Sequence, residues 1–168
     1  MSQGLNNFAE NYRKLSSIPQ PEIKEVNIER WLNNLKILFI EILNEEQIKL
    51  SIQVAKSLDS IKMDDKLMNM VIINLIKNSV ESLKDCKEKQ INIFISSISQ
   101  GKTIIKIEDN GKGIPKENLD QVFIPFYTTK EEGSGIGLSL SRQIVQMHGG
   151  NILVQSQLKR STQFIIEI

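Results

Sequence analysis

Asp109 stands at the end of an apolar strand and is followed by Asn110-Gly111-Lys112-Gly113. Side chains on a strand alternate faces. Asp109 therefore shares a face with Ile105 and Ile107, while Lys106 and Glu108 take the other. A carboxylate on an apolar face is costly unless a donor meets it. The two glycines beside it leave room for something to approach the backbone. Asp109 is thus expected to floor a ligand pocket.

Three other groups could act with it. Asn74 and Asn78 lie four apart, on one face of a helix predicted to be buried through Leu67, Met70, Val71, Ile72, Leu75, Ile76 and Val80. Buried amides need partners. Two readings stand: bonds to the backbone of a neighbouring loop, or oxygen donors for a hard cation and its phosphate chain. Gly133-Ser134-Gly135-Ile136-Gly137-Leu138 opens a second helix. A helix start offers unsatisfied N–H groups and a positive dipole, an anion site, though a tight turn would use the same glycines. The dinucleotide fingerprint does not fit, because Leu138 stands where its third glycine belongs, and there is no P-loop lysine–hydroxyl pair. Between these groups run Phe123, Pro125, Phe126, Tyr127, Thr128, Thr129 and Lys130. Phe123 and Phe126 read as core anchors of the loop. Lys130, beside two hydroxyls, is either a phosphate contact or a solvated surface lysine.

The elements that must position these residues alternate along the chain. Leu5, Phe8, Tyr12 and Leu15 form the stripe of a short amphipathic helix, ended by the proline-containing run from Ser17 to Pro21. It is either the end of a longer helix or a simple cap on the domain. A lead-in strand at Val26 to Ile28 precedes a helix from Glu29 to Leu43, whose apolar stripe is Trp31, Leu32, Leu35, Leu38, Phe39, Ile42 and Leu43. Ile48 to Val54 alternates as a half-buried strand. Asp64 caps the long helix that runs to about Leu83. Gln90 to Ser99 and Thr103 to Glu108 form a hairpin. A long loop to Ser134 follows, a length usually functional or mobile. A helix from Gly135 to His148 ends at Gly149-Gly150, and Asn151 to Ser156 pairs with Gln163 to Ile168. The order is α+β, a mixed or largely antiparallel sheet with helices on one face.

Composition narrows the function. At 168 residues the chain is one domain with room for a real core. A formal net charge of +1 removes the electrostatic case for nonspecific nucleic-acid binding. The single Cys86 has charged neighbours, which suggests an exposed loop in a reducing compartment. No signal peptide and no bilayer-length apolar run is present. A cytoplasmic location is expected, with a longer parent free to carry a membrane anchor.

In order and spacing, the asparagine pair, the Asp-x-Gly-x-Gly turn, the Phe-rich loop and the Gly-x-Gly-x-Gly helix start resemble the catalytic ATP-binding domain of sensor histidine kinases. The resemblance runs from about Val26 to the C-terminus. It implies the two-layer α/β sandwich shared with gyrase-type ATPases, with a long lid over ATP and Mg2+. Asn74 and Asn78 match the asparagine box, with Asn78 the magnesium ligand. Asp109 would accept from the adenine amino group, Gly111 and Gly113 would shape its pocket, and Ile114 would line it. Phe126 would anchor the lid, with Thr129 and Lys130 on its phosphate side. Gly133, Gly135 and Gly137, with Ile136 and Leu138 among them, would cradle the phosphates. Thr162 matches the family's threonine near the adenine, expected on the penultimate strand.

The first 20 residues resemble the tail of the second helix of the kinases' dimerisation bundle plus a linker, leaving residues 21–168 as the catalytic domain. The phosphoacceptor histidine belongs on the bundle's first helix, absent from this sequence. His148, the only histidine, is expected to be structural or capping. The implied partners are the phosphoacceptor-histidine domain of a homodimeric parent and the receiver domain of a response regulator, and no nucleic acid. No residue here is expected to be catalytic. Two departures stand out. Glu81 occupies a place three after Asn78 where many members are basic, which resembles the nitrogen-regulation type, and Ser161 replaces the usual glycine before Thr162.

Two other readings compete. ATPases of the gyrase or mismatch-repair type, like anti-sigma-type serine kinases, usually carry Glu at the position of Asn74, and an amide cannot be the base that activates water. A degenerate nucleotide-sensing module would bind ATP poorly or without regard to magnesium, yet all four boxes are present.

Overall fold

A computed structural model describes residues 17–98, 101–130 and 133–168. The stripe at Leu5, Phe8, Tyr12 and Leu15 lies outside the described residues, as do Glu131 and Glu132 of the long loop.

The chain runs β1 (Lys24–Asn27), α1 (Ile28–Glu45), β2 (Lys49–Val54), β3 (Ser60–Met63), α2 (Asp65–Ser82), β4 (Gln90–Ser97), β5 (Thr103–Asp109), a 3-10 turn (Lys116–Asn118), α3 (Gly137–Met147), β6 (Asn151–Gln157) and β7 (Ser161–Glu167). Five strands form one sheet in the order β2-β4-β5-β7-β6. The pair β2–β4 is parallel and the other three are antiparallel. Parallel neighbours need a crossover, and the passage through β3 and α2 supplies it. The small antiparallel pair β1–β3 stands apart as its own ribbon. The architecture is the expected α+β sandwich.

Alternation along the strands decides what faces the helices. Ile91, Ile93 and Ile95 of β4, Ile105 and Ile107 of β5, and Phe164 and Ile166 of β7 are all buried. They stand opposite one another in register, Ile93 with Ile107 and Ile107 with Phe164. Helix α2 adds Leu67, Met68, Val71, Ile72, Leu75, Ile76 and Val80 to this core, and α1 adds Trp31, Leu32, Leu35, Phe39 and Leu43. A strand parity that delivers isoleucine to the core at every second step delivers Asp109 there as well.

Some expectations shift. Met70 is exposed, so α2 is apolar on a broad face rather than all round. Leu38, in the expected stripe of α1, is 60% exposed, and Ile42 is partly so, because that helix carries more apolar residues than one face can bury. Strand β3 was not anticipated, and Thr162 lies on β7, the last strand, rather than the penultimate one. Helix α3 begins at Gly137, after the glycine loop, and the left-handed Gly149 follows its end. Among the described residues no helix is long and apolar enough to cross a membrane.

His148 ties two helix ends together. Its Nδ1 lies 2.7 Å from the Ile144 carbonyl, so that nitrogen carries the proton. Its Nε2 accepts the Asp64 N–H at 3.0 Å. Asp64 in turn caps α2, accepting from Lys66 and Leu67 N–H, and also holds the Glu22 N–H. The only histidine is therefore a structural bridge.

Candidate functional site

Strands β5 and β7 bring Asp109 and Thr162 directly opposite each other in register. Both are buried, at 2% and 3% exposure. The Gly111 N–H donates to Asp109 Oδ1 at 3.0 Å, and Ser79 Oγ donates to Oδ2 at 3.0 Å. Burial pushes the Asp109 carboxyl above its ordinary value. The hydrogen bonds from Gly111, Ser79 and Ser82 oppose that rise without cancelling it, and Glu108 adds to it. The result is a buried acceptor, oriented by donors on two sides.

The turn after Asp109 is held closely enough to need its glycines. A Cβ on Gly111 would meet Ser82 Oγ and stand 2.6 Å from the Ser82 carbonyl oxygen. Gly113 has φ +71°, and a Cβ there would run into the Gln157 carbonyl. The Ile114 N–H donates to Ser156 Oγ at 2.8 Å. That hydroxyl donates to the Ser161 carbonyl and lies 3.1 Å from Thr162 Oγ1. The Asp109 turn and the β6–β7 hairpin therefore form one braced unit, with half-buried Ile114 at its edge.

Helix α2 meets α3 and the long loop through its two asparagines. Asn74 Nδ2 donates to Ser141 Oγ at 2.9 Å, and a Cβ on Gly137 would collide with the Asn74 side chain. Asn74 thus seats the start of α3. One turn further along α2, Asn78 Oδ1 accepts from Lys130 Nζ at 2.8 Å. The same ammonium donates to Glu81 Oε2 at 2.6 Å. Helix α3 opens with no side-chain cap, which leaves its first turn to present backbone N–H groups. Ile136 is buried and Leu138 packs against the core, so these two bring backbone to the site.

The ring of Phe123 pins the loop between. Phe123 is buried, edge-on to Phe164 at 6.4 Å, with the Arg142 guanidinium 4.0 Å from its ring centre. Phe126 is 40% exposed at φ +67°, and its N–H bonds to the Gly135 carbonyl. Gly135 itself has φ +66° and no room for a Cβ against the Phe126 backbone. Gly133 folds back on the loop, its N–H donating to the Lys130 carbonyl and its Cα hydrogens facing Thr128 Oγ1. Thr129 is exposed. Two surface grooves of about 390 and 450 Å³ lie beside α1 and β1 and share no residue with this constellation.

The histidine kinase-, DNA gyrase B-, and HSP90-like ATPase family matches residues 63–168. The chain belongs to that family. Sporulation kinase D of Bacillus subtilis is 32% identical over 174 residues, covering 90% of this chain and 34% of that protein. The nucleotide-free catalytic domain of histidine kinase ThkA is 29% identical with a TM-score of 0.77, over 88% of this chain and 95% of that one. ThkA in complex with the response regulator protein TrrA matches at 25% identity and TM-score 0.80, over 98% of this chain and 47% of that one. The chain spans about a third of the length of sporulation kinase D and of the Escherichia coli sensor histidine kinase ZraS, and less of other curated relatives. The domain is an ATP-binding domain of the histidine-kinase kind.

The positions expected from sequence gather around α2, the Asp109 turn and the start of α3. Several contributors were not foreseen. Ser79 and Ser82 orient Asp109, Ser141 receives Asn74, and Ser156 braces the turn. The signal was slight: Ser79 directly follows Asn78, and Ser141 sits four after Gly137. The donor set also fits magnesium. An amide oxygen and a carboxylate oxygen converge on one cationic atom, Lys130 Nζ, which stands in for a bound cation.

Proposed function

We propose that this domain binds ATP with magnesium and presents the γ-phosphoryl group to a histidine carried by another domain of a two-component sensor kinase. The observation that carries the reading is the register pair Asp109–Thr162, a buried acceptor and a hydroxyl side by side beneath the turn. An adenine edge suits it: the exocyclic amine donates to Asp109, and the threonine hydroxyl serves a ring nitrogen. Gly111, Gly113 and Ile114 border the base.

The phosphate chain runs toward α3 in this reading. Its first-turn N–H groups, reached through Gly133, Gly135 and Gly137, receive negative charge. Magnesium held by Asn78 would neutralise the phosphates and align the transferring group. Thr129 and Lys130 belong to the lid, which excludes water from the reacting oxygens. Asn74 holds Ser141 and carries no titratable proton acceptor, which supports kinase chemistry over water activation. No residue of this chain serves as nucleophile or base; those groups lie with the acceptor histidine. Residues 1–20 are read as the end of the bundle's second helix and the linker, in a homodimeric, cytoplasmically facing parent. ThkA's association with a response regulator supports a receiver domain as the downstream partner.

The test is reconstitution. Calorimetry should show ATP binding that strengthens with magnesium. Mixed with the parent's phosphoacceptor bundle, the domain should place acid-labile phosphate on the bundle histidine and none on itself. Label on this chain alone, or brisk ATP hydrolysis without the bundle, overturns the assignment.

A further inference from the structure

Asn78 and Glu81 stand three apart on α2, so their side chains leave the helix on one face. Their oxygens converge on one atom, Lys130 Nζ, at 2.8 and 2.6 Å. Both are hard oxygen donors of the type magnesium selects. The lysine and glutamate side chains are 34% and 36% exposed, so this is no deep ion pair, and solvent weakens it enough to be exchanged. Lys130 arrives from the long loop, 49 positions from Glu81. At Lys130 the contact ties the loop to the helix through a charge.

We propose that Asn78 and Glu81 together form the divalent-cation seat of the nucleotide site, and that Lys130 occupies it as a tethered counter-ion until metal displaces it. The proposal rests on the reading of this site as one for magnesium and ATP. It gives Glu81 a role that a basic residue could not fill: the carboxylate attracts metal and ammonium alike, so the two compete. An ammonium and a divalent cation cannot share the same two oxygens, because like charges at that separation repel. Metal entry must therefore free Lys130 and the loop that carries it. A latch closed in nine molecules of ten would raise the apparent metal dissociation constant about tenfold.

Manganese alone is the probe, titrated into the nucleotide-free protein while paramagnetic broadening is followed at the Asn78 side-chain amide and the backbone amides around Glu81. In Lys130→Met the broadening should reach its midpoint at roughly threefold to tenfold lower manganese than in wild type. Lys130→Arg keeps the competing charge and should stay near the wild-type midpoint. Glu81→Gln should need more manganese. Equal midpoints in wild type and Lys130→Met, or broadening that spares Asn78, overturn the seat. ATP binding is measured separately on the same proteins, in magnesium and in EDTA. Absence of ATP binding in magnesium, alongside the expected manganese shifts, would overturn the nucleotide reading and leave the seat standing.

Discussion

Asp109 of β5 and Thr162 of β7 are direct cross-strand partners, both on the helix-facing side of the sheet. The neighbouring pairs of the same two strands, Ile107 with Phe164 and Ile105 with Ile166, bury carbon against carbon. Here the sheet buries a carboxylate beside a hydroxyl, and among the described residues Gly111, Ser79 and Ser82 donate to the acid. An ionised carboxylate has more acceptor sites than these three donors fill, which leaves capacity for the adenine amine of the proposed reading.

Nucleotide affinity should fall on the acid side, and earlier than for an ordinary aspartate. Burial raises the Asp109 carboxyl in the free protein, and an amine donor needs it ionised. Binding then releases a proton, and affinity weakens as pH drops through the raised value. The sign for stability is the reverse: the folded state holds this proton more tightly than the unfolded chain, so stability is lost as pH rises from the unfolded to the folded value. Carbon-detected NMR of the Asp109 carboxyl should show its titration moving to lower pH when ATP is added. Asp109→Asn should keep the fold and weaken ATP binding roughly tenfold to a hundredfold, the worth of a charged hydrogen bond.

Ser79→Ala separates positioning from packing. Ser79 is fully buried and its hydroxyl donates to Asp109 Oδ2. Loss of that donor should cost on the order of 1 kcal/mol in the folded state. It should also raise the Asp109 carboxyl further, because one of the bonds favouring the ionised form is gone. The pH at which ATP affinity halves should therefore move upward in Ser79→Ala. An unmoved pH profile would leave Ser79 a packing residue only.

The sheet face of Asp109, the Asp64 cap and both hairpins could be read from alternation and capping residues, because those signals are local. The remainder was not local. Strand β3 is four residues that pair with β1, about 35 positions away, and nothing within Ser60–Met63 announces that pairing. The surplus apolar residues of α1 hid which face is buried, and Leu38 went to solvent. Two phenylalanines three apart could each have anchored the loop. Phe164 and Arg142 hold Phe123, and both come from elements downstream. Ser79, Ser141 and Ser156 matter through what they touch, and a serine's type carries no such information.

Gly135→Ala and Gly137→Ala should differ. At Gly135 the obstacle is the Phe126 backbone and φ is +66°, so neither side can yield. A loss of roughly 1–3 kcal/mol is expected. At Gly137 the obstacle is the tip of the Asn74 side chain, which can rotate away at the expense of its bond to Ser141. That loss, about 1 kcal/mol, is partly offset by alanine's helix preference. Urea melts of the two variants should rank Gly135→Ala as the less stable. The reverse order would show that Asn74 cannot move.

Asp64 should make the fold acid-sensitive. Burial alone would raise its carboxyl, but N–H donors from Leu67, Glu22 and Lys66 outweigh that and hold it below its usual value. A depressed folded value means that its stabilisation is complete above the unfolded value and fades as pH falls through the folded one. Asp64→Ala should cost about 0.5–2 kcal/mol near neutrality, the range for a lost helix cap. The deficit should shrink toward acid pH, where the wild-type carboxyl is protonated too. Asp64→Asn retains a capping oxygen and should recover most of the loss at neutral pH while flattening the acid limb. Thermal melts across pH for the three proteins check this, and a deficit in Asp64→Ala that stays constant down to acid pH would remove the carboxylate from the explanation.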